Sequence, residues 1–249
     1  MPRTVALHFH PDWPFEGGTV VEAMADSGRY RSQFETGTSN GGLTAHAGGD
    51  RWRWESRLFS GRYDAGPAEE RPVYGALAMD DAYGPAARFG SAYLRLRPEI
   101  SSRTTFCYPD SVFEPDGVVG IDRTDELVAR MREDDLDLLD RYVEAHVHGG
   151  IRFEDDVEAI VLDPCFLDTG VHDAANRLGC AVEFHRGFRL PTDRLDGDYR
   201  GPEPQQLARR LAPVLTPEVV GAAARSQQHD PQTLKRVWHL LARFGRAEH

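Results

Sequence analysis

Only three cysteines occur in the chain, Cys107, Cys165 and Cys180, and no two stand in a C-x-x-C spacing. That excludes a disulfide framework and a cysteine-rich zinc site, and predicts a reducing, cytoplasmic compartment. Lysine is rarer still. Lys235 is the single one among 29 basic residues, so arginine, the better fork for phosphate, supplies nearly all the positive charge. No run of 18 apolar residues is present, and the start MPRTVALHFHPD lacks a basic segment followed by an apolar one. Neither a membrane span nor a signal peptide is therefore expected. The phosphate loops GxGxxG and GxxxxGK[ST] are also missing, which removes the dinucleotide oxidoreductase and P-loop classes. The net charge of -11 argues against broad attraction to nucleic acid, whose binding releases counterions only against a positive face.

What is present describes an ordinary globular chain. Its 249 residues, 40% hydrophobic and 28% charged, suffice for one large core without metal or disulfide support. Residues 4–10 alternate as a strand stopped by Pro11. Thr19 reads as the N-cap of a helix ending at Gly28, with Val20, Val21 and Met24 inward. Strands are expected at 30–34, 73–79, 91–97, 103–108, 142–148, 158–162 and 181–185, and helices at 51–60, 127–140 and 172–178. Three helices, 204–215, 216–226 and 231–244, close the sequence. In the last, Leu234, Val237, Trp238, Leu241 and Phe244 recur at helical spacing. The expected organisation is an α+β domain over 1–200 with a C-terminal helical subdomain over 201–249.

Three segments carry chemical groups. In LHFHP, strand alternation puts His8 and His10 on one face and Leu7 and Phe9 on the other. The run SGRYRSQFETGTSNGG crowds Tyr30, Ser32, Gln33, Thr36, Ser39 and Asn40 beside glycines whose backbone can approach a phosphate or amide. In YVEAHVHGG, Glu144, His146 and His148 share a face opposite Val143, Ala145 and Val147. Ionisable groups on one face of an internal strand need partners, and a carboxylate backed by imidazoles suits acid–base or electrostatic work. Arg51 in GGDRWRWE adds an anion grip.

The run from VALHFHPD through YRSQFETGTSNGG, GGDRWRWE, ERPVYGAL, RFGSAYLRL, RTTFCYPDS and YVEAHVHGG resembles the uncharacterised bacterial family numbered 3626 among domains of unknown function. More distantly, YVEAHVH is similar to the YxE strand of ADP-ribosyltransferases of the poly(ADP-ribose) polymerase branch. The resemblance implies a split β-sheet core with NAD as substrate and no metal. By it, His8 or His10 would hold the ribose, Tyr30 stack on nicotinamide, Ser32 orient the ring, and Glu144 stabilise the oxocarbenium ion with His146 beside it. Gln33, Thr36, Ser39, Asn40 and Arg51 would complete the NAD site. The acceptor could be protein, nucleic acid, a small molecule or water. Pro11 stands where that family has glycine after its histidine, and no STS motif occurs.

Two other readings stay open. The pairs His8-x-His10 and His146-x-His148 would suit a metal-dependent hydrolase if Glu144, Asp163 or His185 completed the shell. Alternatively, the polar strands would form an interaction surface without catalysis.

Overall fold

A computed structural model describes residues 3–37, 45–79, 81–195 and 197–247. Its centre is a seven-stranded sheet built from β1 (Val5–Phe9), β2 (Val73–Leu77), β3 (Ala92–Leu96), β4 (Thr104–Cys107), β5 (Glu144–Val147), β6 (Val157–Leu162) and β7 (Ala181–Phe184). The spatial order is β7-β6-β3-β1-β2-β5-β4. Only the β6–β7 pair is parallel, which makes the α+β sheet mixed. Where the sequence led to two smaller sheets, these strands form one continuous ladder.

Alternation divides the sheet into two unlike faces. Val5, Leu7, Phe9, Leu94, Leu96, Phe106, Ala145 and Val147 belong to a large apolar cluster. It also takes in Val21 and Met24 of α1 (Val20–Ser27). Two further helices, α3 (Thr124–Glu133) and α4 (Gly170–Asn176), contribute Leu127, Val128 and Met131, and Ala174 and Ala175. Gly75 belongs here because a Cβ would stand 2.5 Å from Leu7 Cδ2 and 2.6 Å from the Ala6 carbonyl oxygen. The opposite face carries His8, Tyr74, Glu144 and His146, with Tyr74 paired to His146 and Ala76 to Glu144 across β2 and β5.

Helix α2 (Asp50–Leu58) contributes the buried side chains Arg51 and Glu55, both of which reach Tyr74 on this polar face. Three helices at the C-terminal end, α5 (Pro202–Leu211), α6 (Pro217–Arg225) and α7 (Pro231–Phe244), share an apolar cluster of their own. That cluster also recruits Tyr83, Ala87, Leu139, Phe188, Leu190 and Leu195. The helical tail is thus seated on segments that precede residue 201. Trp238, wholly buried, donates its Nε1–H to the carbonyls of Ala87 at 2.9 Å and Arg88 at 3.1 Å. No helix among the described residues is long and apolar enough to cross a membrane.

Two local expectations are corrected. Residues 30–34 are not a strand: Arg29–Tyr30 pairs briefly with Ile151 and Arg152, and Gln33–Thr36 is a helical turn. Ser32 caps that turn, its Oγ accepting from Glu35 N at 3.2 Å while the Glu35 carboxylate accepts from Ser32 N at 2.8 Å. The acidic helix runs over Thr124–Glu133 rather than 127–140. Glu133, Asp134 and Asp135 are unfavourable at the negative end of a helix dipole, whereas Asp125 and Glu126 suit its first turn.

Candidate active site

The polar face of the sheet forms the floor of a cleft with two adjoining compartments. The outer one encloses about 170 Å³ and is walled by aromatic and apolar groups, among them His10, Trp13, Phe15, Met24, Tyr30 and Tyr74. The inner one, about 50 Å³, is lined by His8, Arg51, Tyr74, Phe89, Tyr142 and Glu144 among others. Tyr30, Gln33 and Tyr74 belong to both. The larger space is the better ligand hold, but the titratable chemistry sits in the smaller.

Glu144 is fixed from behind. Its Oε1 faces His146 Nε2 at 2.9 Å, accepts from Ser111 N at 3.2 Å, and lies 3.7 Å from the Cys107 thiol. All three contacts fall on Oε1, so Oε2 has no hydrogen-bond partner among the described residues. Burial alone would raise the Glu144 carboxyl. The hydrogen bond and charge of His146, then the Arg51 charge and the Ser111 N–H, outweigh it and hold the group below the usual carboxylate range. A buried anion is kept ionised by donors aimed at it. His146 is itself packed by the edges of Phe59 and Tyr74, and its Nδ1 lies 3.3 Å from Thr105 Oγ1.

Arg51 reaches in from α2. It is buried, and its Nε and Nη1 find no acceptor among the described residues. Its guanidinium lies over Tyr74, 4.2 Å from the ring centroid, and 5.4 Å from that of Trp54. Glu55, one turn along, is committed elsewhere, bound by Arg71 Nη1 at 2.6 Å and by the Tyr74 hydroxyl at 3.2 Å. Gln33 Oε1 and Trp13 Nε1 also lack partners. Buried polar atoms left unpaired are costly and call for an explanation, and a polar ligand in this cleft supplies one.

Most residues singled out in the sequence converge here. His8, Arg51 and Glu144 line the inner compartment, His10, Ser32 and Thr36 the outer, and Tyr30 and Gln33 both. His146 lines neither; it stands behind Glu144, its Nε2 facing Oε1. Ser32 is largely spent on structure, since its hydroxyl also donates to the Ala68 carbonyl at 2.8 Å. Ser39 and Asn40 lie outside the described residues. Ser39 stands in a G-x-S-x-G spacing, but a helical turn precedes it rather than the strand from which a nucleophile elbow rises.

The two histidines of LHFHP differ in use. His8 is satisfied by backbone: its Nδ1 lies 3.2 Å from the Gly90 carbonyl and its Nε2 accepts from Ala86 N at 3.3 Å. His10 stacks on Trp13 at 4.2 Å and meets the edge of Trp238 at 4.9 Å. The two H-x-H pairs do not meet in one metal-ligand group among the described residues. The group found there with donor atoms placed to hold an ion is Cys107, Glu144 and His146, all within 4.8 Å of one another. Burial, then the charges of Glu144 and Asp110, push the Cys107 thiol up, away from the thiolate form.

Sequence reasoning missed Tyr74 and Phe89, whereas Tyr142, on the same face of YVEAHVH as Glu144, lines the inner compartment with it. Tyr74 sits in an apolar run, PVYGAL, and gains its meaning only from the strands that flank it.

The chain belongs to a family described as "Protein of unknown function (DUF3626)", whose model matches residues 4–135 and 119–244. It is similar to the "Gene 2 protein" of Mycobacterium phage D29, with 26% identity over 168 residues, covering 58% of this chain and 61% of that protein. The chain thus spans about three fifths of the length of that curated relative.

Proposed function

We propose that the cleft binds NAD and that the protein transfers ADP-ribose from it, to an acceptor or to water, by the chemistry of the ADP-ribosyltransferases its YVEAHVH strand resembles. The observation that carries this reading is Glu144, a buried carboxylate held ionised at the closed end of an aromatic-walled cleft. Cleaving the nicotinamide–ribose bond builds positive charge on the ribose in the transition state. A carboxylate fixed in advance stabilises that charge without reorganising. Oε2 is the oxygen left to meet the ribose, since His146 and Ser111 engage Oε1.

The resemblance asks for a histidine on an early strand, then a helix, then a tyrosine strand, and later the glutamate. Here β1, β2 and β5 are neighbours in the sheet, and bring His8, Tyr74 and Glu144 to one compartment. Tyr74, rather than Tyr30, is then the tyrosine against nicotinamide, although its strand reads Val-Tyr-Gly instead of Gly-x-Tyr. Tyr30 becomes a second wall. Arg51 draws an anionic or carbonyl oxygen of the substrate to the floor, and His10, whose ring has no backbone partner among the described residues, takes the ribose contact. The compartments suit the nicotinamide riboside end, leaving the adenosine half at the rim near Trp13 and Phe15.

The test is nicotinamide release from NAD by the purified protein, with and without a chelator. Chelator-resistant release is expected. No release at any protein concentration would overturn the reading, and release that chelation abolishes would move the chemistry to an ion at Cys107, Glu144 and His146. A second outcome separates the paired histidines. His10→Ala should raise KM for NAD in a protein that still folds. His8→Ala should chiefly lower stability, because it strands the Gly90 carbonyl and Ala86 N–H that the ring satisfies. Equal KM values for wild type and His10→Ala would remove His10 from the site.

A further inference from the structure

A second group of cations lies where α7 meets the turn at Ala87–Phe89 and the segment around residue 200. Arg88 and Arg200 both reach Asp140, Arg88 in a close ion pair and Arg200 Nη2 at 4.0 Å. Lys235 and His239 stand four residues apart on one face of α7. Trp238, between them in sequence, fastens that helix to the carbonyls of Ala87 and Arg88.

This group is over-supplied with donors. His239 is only 3% exposed, and neither of its ring nitrogens has a hydrogen-bond partner among the described residues. Arg88 Nε, Arg200 Nε and Arg200 Nη2 are buried without hydrogen-bond partners as well. Among the described residues, Asp140 is the carboxylate that pairs with both Arg88 and Arg200. Its neighbour Asp137 is committed, accepting from the Tyr199 hydroxyl at 2.9 Å and from Arg243 Nε at 3.1 Å. The crowding registers on the titrating members. Burial, then Arg88, Arg200 and Arg236, bring Lys235 down to about 8; burial, then Arg200, Arg88 and Lys235, bring His239 down to about 2. Unpaired buried donors and uncompensated charge are both unfavourable. A tetrahedral oxyanion answers both defects, because its oxygens accept from guanidinium forks, an ammonium and an imidazole together.

We propose that Arg88, Arg200, Lys235 and His239 form a receptor for the phosphate group of a ligand, distinct from the cleft at Glu144. The site stands on its own side chains and does not depend on the cleft binding NAD. The ligand chemistry is a phosphate oxyanion, carried by a dinucleotide's pyrophosphate or by a separate phosphorylated molecule.

Lys235 makes the site easy to observe, since it is the sole lysine of the chain. Reductive methylation with ¹³C-formaldehyde keeps its charge and gives one lysine signal to follow by NMR. Titration with inorganic phosphate, against chloride at matched ionic strength, should move that signal saturably. Arg200→Met should weaken binding by about tenfold or more, the loss expected for a charge-assisted contact, while Arg51→Met should leave it intact. Equilibrium dialysis with labelled phosphate extends the comparison to Lys235→Met. Displacement of phosphate by NAD would assign the site to the dinucleotide, and simultaneous binding would assign it to a separate phosphorylated ligand. Either supports the receptor. An absent or unsaturable shift would overturn it, as would binding that survives Arg200→Met and Lys235→Met but is lost in Arg51→Met.

Discussion

The Glu144→Gln variant is expected to release nicotinamide about 10²–10³-fold more slowly than the wild type, the range found when one preorganised electrostatic group is removed from a transition state. KM for NAD should change little, because the interaction forms as positive charge develops on the ribose and is weak in the ground state. Glutamine keeps the size and one carbonyl oxygen, so the Ser111 N–H retains an acceptor and a folding failure is not expected. His146 supplies the companion test. It touches the substrate nowhere in this arrangement, and acts through its contact with Glu144 Oε1. Burial acts to raise the Glu144 carboxyl, and His146 is the largest of the groups opposing that. In His146→Gln the carboxyl pKa should therefore rise, so the acid limb of the pH–rate profile moves to higher pH while the plateau falls less than in Glu144→Gln. A purely structural His146 would lower the plateau and leave the limb in place. Unchanged release by Glu144→Gln would remove this carboxylate from the chemistry altogether.

How far the sequence foretold this site depends on how local each signal was. The two-residue alternation in YVEAHVH put Glu144 and His146 on one face and Ala145 and Val147 in the apolar cluster, and the structure places them so. The bounds of α7 were legible for a similar reason: Asp230 accepts from Thr233 N at 2.7 Å, Pro231 opens the helix, and the apolar stripe is regular. The turn at Gln33–Thr36 was legible but misread. Ser32-Gln33-Phe34-Glu35 has the S-x-x-E spacing of a capping box, and the structure forms it. Pairings between distant strands carried no local signal. Nothing in PVYGAL says that Tyr74 will stand opposite His146, 72 positions on. Arg88, Arg200, Lys235 and His239 are likewise scattered over most of the chain, and each alone reads as an ordinary surface or helix residue. Their gathering around Asp140 and α7, with unpaired nitrogens on Arg88, Arg200 and His239, exists only in three dimensions.

The buried histidines also predict a sharp loss of stability in mild acid. Burial lowers His8 to about 3, His10 to about 3 and His239 to about 2. In the unfolded chain each titrates near 6.5. Between pH 6.5 and 5 the unfolded state therefore binds these protons and the native state does not, so stability falls as pH falls. Asp12 works the other way. Burial raises its carboxyl to about 6 even against Arg225, so the native state takes up a proton that the unfolded state refuses until near 4. His148, lowered by burial to about 4, and His185, also lowered, add to the histidine side, while Asp110 and Glu55, raised by burial, join Asp12. The histidines prevail, and each proton of net uptake on unfolding is worth about 1.4 kcal/mol per pH unit. Urea unfolding at pH 7, 6 and 5 in phosphate-free buffer measures that slope directly. His239→Leu should flatten it by about one proton's worth at little cost near pH 7, because the ring nitrogens it removes have no partners to strand. A stability that stays level from pH 7 to 5 would mean that these rings are solvated and protonate freely in the native protein. Solvent would then reach His10 and His239, and the unpaired nitrogens around α7 would have water as their partner in place of a phosphate.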